Sequence, residues 1–406
     1  MKIKVNNLVS SLGILLDLNQ KASQVNILEA SSMVNYDFKK FSHHSIKSTY
    51  IAMEICNELD FDYDCKKKVY VSCMLHDIGI NSSNNYYLDT KQLIHDHCEK
   101  GSKILEKFPK FSNLSNIIYY HHENYDGSGI FNISKDLIPI ESQIIRLSDI
   151  IETIYYDSSS PDLRKHIIEW VKNNSGKLFS PLLSSAFLRI SKRDIFWLNL
   201  DNISFHDFVF KKYTPNFDLE LSLREFLDIS YVFADIVDMS SSFTGEHSKN
   251  IGDLSYMISS SIGYDEEKCI KMKIAGLLHD IGKLAIPRSI LNKNSSLTIE
   301  EFHIMKSHVY YTNLVLEKIE DIPDICEWAS NHHEKLNGKG YPRMLTGESL
   351  SEECRILAVC DVYQALREDR PYRKGLNNDT IFKILNESCN NGFLCKNALS
   401  HLKNAL

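Results

Sequence analysis

LLHDIGKLAIP, residues 277–287, places His279 and Asp280 side by side in an otherwise apolar run. The apolar spacing is that of a buried helix. A carboxylate in such a setting is costly unless it is paired or holds a cation. A fainter copy, MLHDIGINSS, stands at residues 74–83, with Ile80 where the later stretch has Lys283. Two apolar helical runs interrupted by the same pair of metal-ligand residues read as a duplicated unit, each copy built round an ionic site.

The register supports duplication. His44 and His247 lie 203 positions apart, and so do His76 and His279. His97 and His308 lie 211 apart, as do His121 and His332, while Asp149 and Asp361 lie 212 apart. The eight-position jump from 203 to 211 falls after each HDIG, where a loop between two helices has been shortened, a change that loops absorb. Around these anchors HCEKGSKILEK matches HVYYTNLVLEK, and YYHHEN matches SNHHEK. Apolar residues recur three and four apart in SYVFADIVDMSS and IFKILNESCNNGFLCKNALSHLKNAL, and period-two alternation is scarce. The expected fold is all-α, two tandem helical bundles over 1–210 and 211–406, dividing where SFHDFVFKKYTPNFDLE loses its periodicity around Pro215. YYDSSSPDL at 155–163 is expected to be a loop inside the first bundle.

Bulk properties exclude several classes. A chain of 406 residues exceeds one ordinary core and leaves ample room for an enzyme. No apolar run approaches the roughly 20 residues needed to span a bilayer. The start, MKIKVNNLVSSLGILLDLNQ, is broken by Asp17, Asn19 and Gln20 and reads as an amphipathic helix, not a signal peptide. Ten Cys with no CxxC pair are expected of reduced thiols, hence a cytoplasmic protein. A net charge of -7 argues against duplex nucleic acid as a partner, so a phosphorylated ligand would need local cations.

Each unit repeats one series: a His, His-Asp, a His, His-His, an Asp. In the first these are His44, His76, Asp77, His97, His121, His122 and Asp149; in the second His247, His279, Asp280, His308, His332, His333 and Asp361. Ten of the 16 His fall on this pattern, too ordered for scatter. His43 and His95, beside it, read as surface residues. Imidazole and carboxylate without thiolate suit iron, manganese, zinc, nickel or cobalt. Seven ligands exceed the need of one tetrahedral ion, so two divalent ions per site are expected, bridged by the Asp of the HD pair. Neighbouring ions stabilise both oxygens of an in-line displacement at phosphorus, the chemistry of phosphodiester hydrolysis.

The second unit resembles the HD-GYP domain, a subdivision of the HD phosphohydrolase superfamily. TGEHSKNIGDLS, LLHDIGKLAIP, NHHEKLNGKGYP and AVCDVYQALREDRPYRKG stand in the family's order across residues 225–406. The resemblance implies a helical bundle with a two- or three-metal centre, iron and manganese foremost, that hydrolyses bacterial cyclic dinucleotides. Cyclic di-GMP is the chief substrate, cut to the linear dinucleotide or to GMP, and some members prefer cyclic GMP-AMP. It carries the metal-ligand role to the seven residues of the second unit. It also carries phosphate contact to Lys283, Arg370 and Arg373, and the signature loop to Gly338, Gly340, Tyr341 and Pro342. Asp280 and Lys283 are then the residues expected to carry catalysis.

Departures qualify the match. Phe243 stands where three-metal members have Glu, favouring two metals. Gln364 replaces the family's usual Asp, and LRED, 366–369, replaces a commoner hydroxyl-bearing sequence. In the first unit Ile80 answers Lys283, GSGIF (127–131) answers GKGYP, and Ser160 or a neighbour answers Arg370. That unit keeps the ligand types and loses the phosphate grips. It is expected to be a weak or inactive partner of the second, with hydrolysis of another phosphorylated ligand as the competing reading. For the whole chain the rivals are a signalling receptor that binds a cyclic dinucleotide uncut, and an HD hydrolase of mononucleotides. A homodimer or a signalling-protein partner is the expected association.

Overall fold

The computed structural model describes the chain except residues 24–42, 81–89, 156–160, 204–212, 216, 218, 241–245 and 370–373. The described residues are all-α apart from one short ribbon. Two compact units are present, Leu12–Asp218 and a second formed by Leu219–Leu406 with Met1–Ser11. Set beside the expected division at 210/211, the first eleven residues go with the C-terminal unit. The reason is β1 (Lys2–Lys4), which pairs antiparallel with β2 (Glu220–Ser222) and puts Ile3 opposite Leu221, both fully buried. Three residues of strand are too few to show as period two, so the start reads as helix alone; the helix begins at Val5.

The N-terminal unit holds α1 (Val5–Ser23, from Leu12 on), α2 (His44–Glu58), α3 (Tyr63–Leu75), α4 (Thr90–Glu106), α5 (Ser115–Tyr119), α6 (Ile140–Ile154), α7 (Pro161–Asn173), α8 (Pro181–Ile190) and α9 (Asp194–Asp201). The C-terminal unit holds α10 (Leu223–Ser240), α11 (His247–Ser261), α12 (Glu266–Leu278), α13 (Arg288–Leu291), α14 (Ile299–Glu317), α15 (Pro323–Ser330), α16 (Glu352–Arg367), α17 (Asn378–Asn390) and α18 (Lys396–Ala405).

The same local devices place the same helices in both units. Asp62 caps α3 by accepting from Cys65 N (2.8 Å), and Asp265 caps α12 by accepting from Lys268 N (2.8 Å). The first His of each series opens α2 and α11, and each start is held by a buried Asp from a helix earlier in the chain. Asp17 accepts from Ser45 N and Oγ (2.9 and 2.6 Å), and Asp238 accepts from Ser248 Oγ (2.8 Å). A carboxylate there meets backbone N–H groups that the helix itself leaves unpaired. Asp17, which in the sequence breaks an apolar run and marks the helix as amphipathic, anchors the start of α2.

Each HD pair lies where its helix ends. α3 and α12 stop at Leu75 and Leu278, and 3-10 turns follow over His76–Gly79 and Ile281–Ala285. The glycine of HDIG is required by packing. A Cβ at Gly282 would stand 2.0 Å from His308 O and 2.5 Å from Thr312 N, and one at Gly79 would stand 2.1 Å from His97 O. Only glycine lets this turn touch the backbone of the helix that carries the next His.

Candidate metal centre

In the C-terminal unit the seven residues, distant in sequence, meet. One ligand atom each from His247, His279 and Asp280 lie within 4.8 Å of one another, and so do those of His308, His332 and His333. Asp280 stands between the groups: Oδ2 is 3.0 Å from His279 Nε2, and Oδ1 is 3.4 Å from His308 Nε2. Asp361 completes the ring, with Oδ1 3.5 Å from His247 Nε2 and Oδ2 3.7 Å from His333 Nδ1.

The outer contacts set which nitrogen faces inward. His279, His308 and His332 donate from Nδ1 to the carbonyls of Gly276, Met305 and Ala329, three residues back on their own chain (2.8, 2.7 and 2.7 Å). A neutral ring so held turns a lone pair on Nε2 toward the centre. Those three Nε2 atoms and Asp280 Oδ1 are buried without a hydrogen-bond partner. Buried polar atoms are rarely left so unless something else satisfies them. Converging lone pairs and a carboxylate oxygen fit a divalent transition-metal ion.

The electrostatics agree. Burial, with His333 nearby, pushes His308 down to about 3, and burial likewise lowers His332 and His333, so these imidazoles are neutral at pH 7. Burial opposes ionisation of Asp280, yet His279 and Lys283 outweigh it and hold the carboxyl well below its usual range. For His247, burial is outweighed by hydrogen bonds to Asp361 and Glu368, which raise it to about 9. Metal uptake at this nitrogen therefore displaces a proton.

His247 also explains two departures in the sequence. Its Nδ1 donates to Glu368 Oε2 (2.9 Å), and Gln364 Nε2 donates to Glu368 Oε1 (2.6 Å). In the N-terminal unit His44 Nδ1 donates to Glu152 Oε2 (2.6 Å). Glu152 and Gln364 lie 212 positions apart, so they occupy one register. The C-terminal unit has lost the acid there and supplies it one helical turn later, from the LRED stretch. Glu368→Gln is expected to weaken metal affinity about 10- to 100-fold. Adding Gln364→Glu should restore it, as measured by metal titration of the apo protein.

The signature loop stands beside this ring. A Cβ at Gly340 would lie 2.4 Å from Glu334 Cα, so the loop folds directly onto the backbone after the His-His pair. Buried Glu334 ties it down, accepting from Arg343 N and Leu345 N (2.6 and 2.9 Å). The Tyr341–Pro342 peptide is cis, and the Tyr341 ring lies 4.9 Å from that of His333. A cavity of about 910 Å³ opens here, lined by His247, Asp280, Lys283, His333, Tyr341 and Asp361 among others. Lys283 Nζ sits on Asp280 Oδ2 at 2.5 Å with its side chain 25% exposed. The apolar helical run of the sequence puts Lys283 one turn on, on the same helix face as His279 and Asp280; in the structure the helix has ended at Leu278 and Lys283 lies on the 3-10 turn that follows. Arg370 and Arg373 fall outside the described residues, as do Phe243 and Ser160.

The first unit gathers its series as well. His44 Nε2 and His76 Nε2 face each other at 3.2 Å, and so do His97 Nε2 and His121 Nε2. Asp77 lies between, 3.5 Å from His44 and 3.4 Å from His97, and Asp149 Oδ1 is 3.4 Å from His44 Nε2. His76 and His121 donate from Nδ1 to Cys73 O and Ile118 O, each at 2.6 Å, so their Nε2 lone pairs point inward. These residues too fit a divalent ion. Glu123 repeats the tie of Glu334, accepting from Phe131 N and Ile133 N (2.7 and 3.1 Å). GSGIF therefore keeps the loop's support while losing Tyr and Pro. His95 is half-buried, close to Asp96 and Glu99.

Sequence reasoning missed Glu334, Glu368, Asp238 and Arg146. Each is a common residue type whose role shows only in its folded contacts, some across the fold and some within about ten residues, although the repeated HHE was a visible signal for Glu334.

Comparison with known proteins follows the same division. Residues 29–169 and 231–393 match the HD domain family. The chain is 26% identical over 363 residues to 3′3′-cGAMP-specific phosphodiesterase 1 of Vibrio cholerae, covering 87% of this chain and 84% of that one. It is 37% identical over 142 residues to a cyclic di-GMP phosphodiesterase of Pseudomonas aeruginosa, covering 34% of each. The crystal structure of a cyclic GMP-AMP specific phosphodiesterase of V. cholerae matches at a TM-score of 0.68 and 20% identity, over 100% of this chain and 98% of that one. With most of its length matched in two segments, each carrying the complete His and Asp series, this chain belongs to the HD domain family and carries the domain twice.

Proposed function

We propose that the C-terminal unit is a metal-dependent phosphodiesterase that hydrolyses a cyclic dinucleotide. The observation that carries the reading is the cavity of about 910 Å³ that opens onto the ring at His247, Asp280, His308, His333 and Asp361. Cavities of this size accept drug-sized and larger ligands. His247, His279, Asp280 and Asp361 would hold one ion, and His308, His332 and His333 a second, with Asp280 between them. Bound there, such ions supply an activated water and neutralise charge on a phosphoryl group; iron or manganese suits this ligand set, and zinc, nickel and cobalt remain compatible with it.

The remaining work falls to the chain. Backbone carbonyls fix the imidazole orientations before substrate arrives, which avoids reorganisation during the reaction. Lys283, on Asp280 and lining the cavity, would offer its ammonium to a phosphate oxygen. Tyr341 gives an aromatic wall beside His333 against which a base or sugar can rest. Arg370 and Arg373 are proposed as further phosphate contacts on their match to the family pattern. Lys283→Ala is expected to keep its metal and lose about 100-fold in turnover, measured as linear product formed per unit of bound metal.

For the substrate, 3′3′-cyclic GMP-AMP is favoured over the cyclic di-GMP that the motifs first suggest. The support is coverage: a relative named for cyclic GMP-AMP matches across both units, whereas the cyclic di-GMP relative matches about a third of the chain. Gln364 does not favour the receptor reading, because Glu368 supplies His247 with a carboxylate. Anaerobically prepared protein loaded with iron or manganese should be given both cyclic dinucleotides, and the products separated. Faster loss of cyclic GMP-AMP supports the proposal. Preference for cyclic di-GMP overturns the substrate assignment, and retention of both nucleotides uncut overturns the hydrolase.

A further inference from the structure

The two ligand rings differ at one position that the motif pattern does not include. Arg146 lies on α6, one turn before Asp149, and donates from Nη1 to His122 Nδ1 at 3.1 Å and from Nη2 to Asn124 Oδ1 at 3.2 Å. Its Nε is buried with no hydrogen-bond partner. The corresponding residue of the C-terminal unit, 212 positions on, is the buried Ala358, which has no donor to offer His333.

The chemistry of this contact is restrictive. A guanidinium keeps its protons in proteins and only donates. A neutral imidazole has one N–H and one lone pair. If Nδ1 of His122 accepts from Arg146, the ring proton is on Nε2, and no lone pair is left for a metal at either nitrogen. Arg146 and a metal ion thus compete for the same electron pair. A fixed positive charge in contact with His122 further opposes a dication there.

We propose that Arg146 stands in for the second cation of the N-terminal unit, so that this unit holds a single divalent ion on His44, His76, Asp77 and Asp149. The side chain converts a two-ion ring into a one-ion ring without altering any of the seven ligand-type residues, which is why the pattern of ligands looks intact. Such a site keeps a structural ion while lacking the paired cations that phosphodiester cleavage uses.

The test is manganese content of the full chain after equilibration, with electron paramagnetic resonance to separate isolated from spin-coupled ions. Arg146→Met removes the donor and keeps bulk. It should bind one more manganese per chain than the unaltered protein and turn the isolated-ion signal into a coupled one. The reciprocal Ala358→Arg should bind one fewer. An unchanged content in a folded Arg146→Met chain overturns the proposal, as does an unaltered protein with no isolated-ion signal at full loading. Should Arg146→Met fail to fold, Ala358→Arg decides: loss of one ion supports the competition, and a full complement refutes it.

Discussion

Asp280→Ala is expected to empty the C-terminal ring and reduce hydrolysis at least about 1,000-fold. Asp280 spans the two His groups more tightly than Asp361 does, with its oxygens 3.0 Å from His279 Nε2 and 3.4 Å from His308 Nε2 against 3.5 and 3.7 Å for Asp361 on His247 and His333. Removing it takes a ligand from each ion position at once. The remaining imidazoles keep their Nδ1 contacts to backbone carbonyls, so the helices need not move. A low metal content in a chain that melts normally is the expected signature. Full turnover by this variant would contradict the assignment of Asp280.

Gly282→Ala is expected to destabilise the C-terminal unit by about 3 kcal/mol or more, at the upper end of what single substitutions cost. The added methyl would meet His308 O at 2.0 Å and Thr312 N at 2.5 Å, both backbone atoms of one helix that cannot turn aside. Relief requires the 3-10 turn to lift, which carries His279 and Asp280 away from His308. Stability and metal affinity should therefore fall together, seen as a lower melting temperature of the apo protein and a weaker manganese titration. A variant that melts and binds as the unaltered chain does would contradict the packing argument.

Much of this was legible in the sequence because the informative residues are rare and their order is kept. His-Asp in an apolar run has few inexpensive explanations, and the same order of HDIG, His-His and final Asp, at offsets that drift only from 203 to 212, fixes which residues belong together. The all-α class followed from the period of the apolar residues. Other features were hidden because they depend on contacts between distant segments. Gln364 reads as a lost acid until Glu368 is seen one turn away on the same His247. Arg146 lies between apolar residues of α6 and looks like any charge on a helix until its guanidinium is found on His122. The first strand is only three residues long, and its partner lies more than two hundred positions on, so no local pattern could place it with the second unit.

Anomalous diffraction at the manganese or iron edge from crystals grown anaerobically with the metal tests the central claim most directly. The account predicts two peaks in the C-terminal unit on either side of Asp280, one among His247, His279 and Asp361, the other among His308, His332 and His333. Absence of both peaks in fully loaded protein, or metal bound away from these residues, would contradict it.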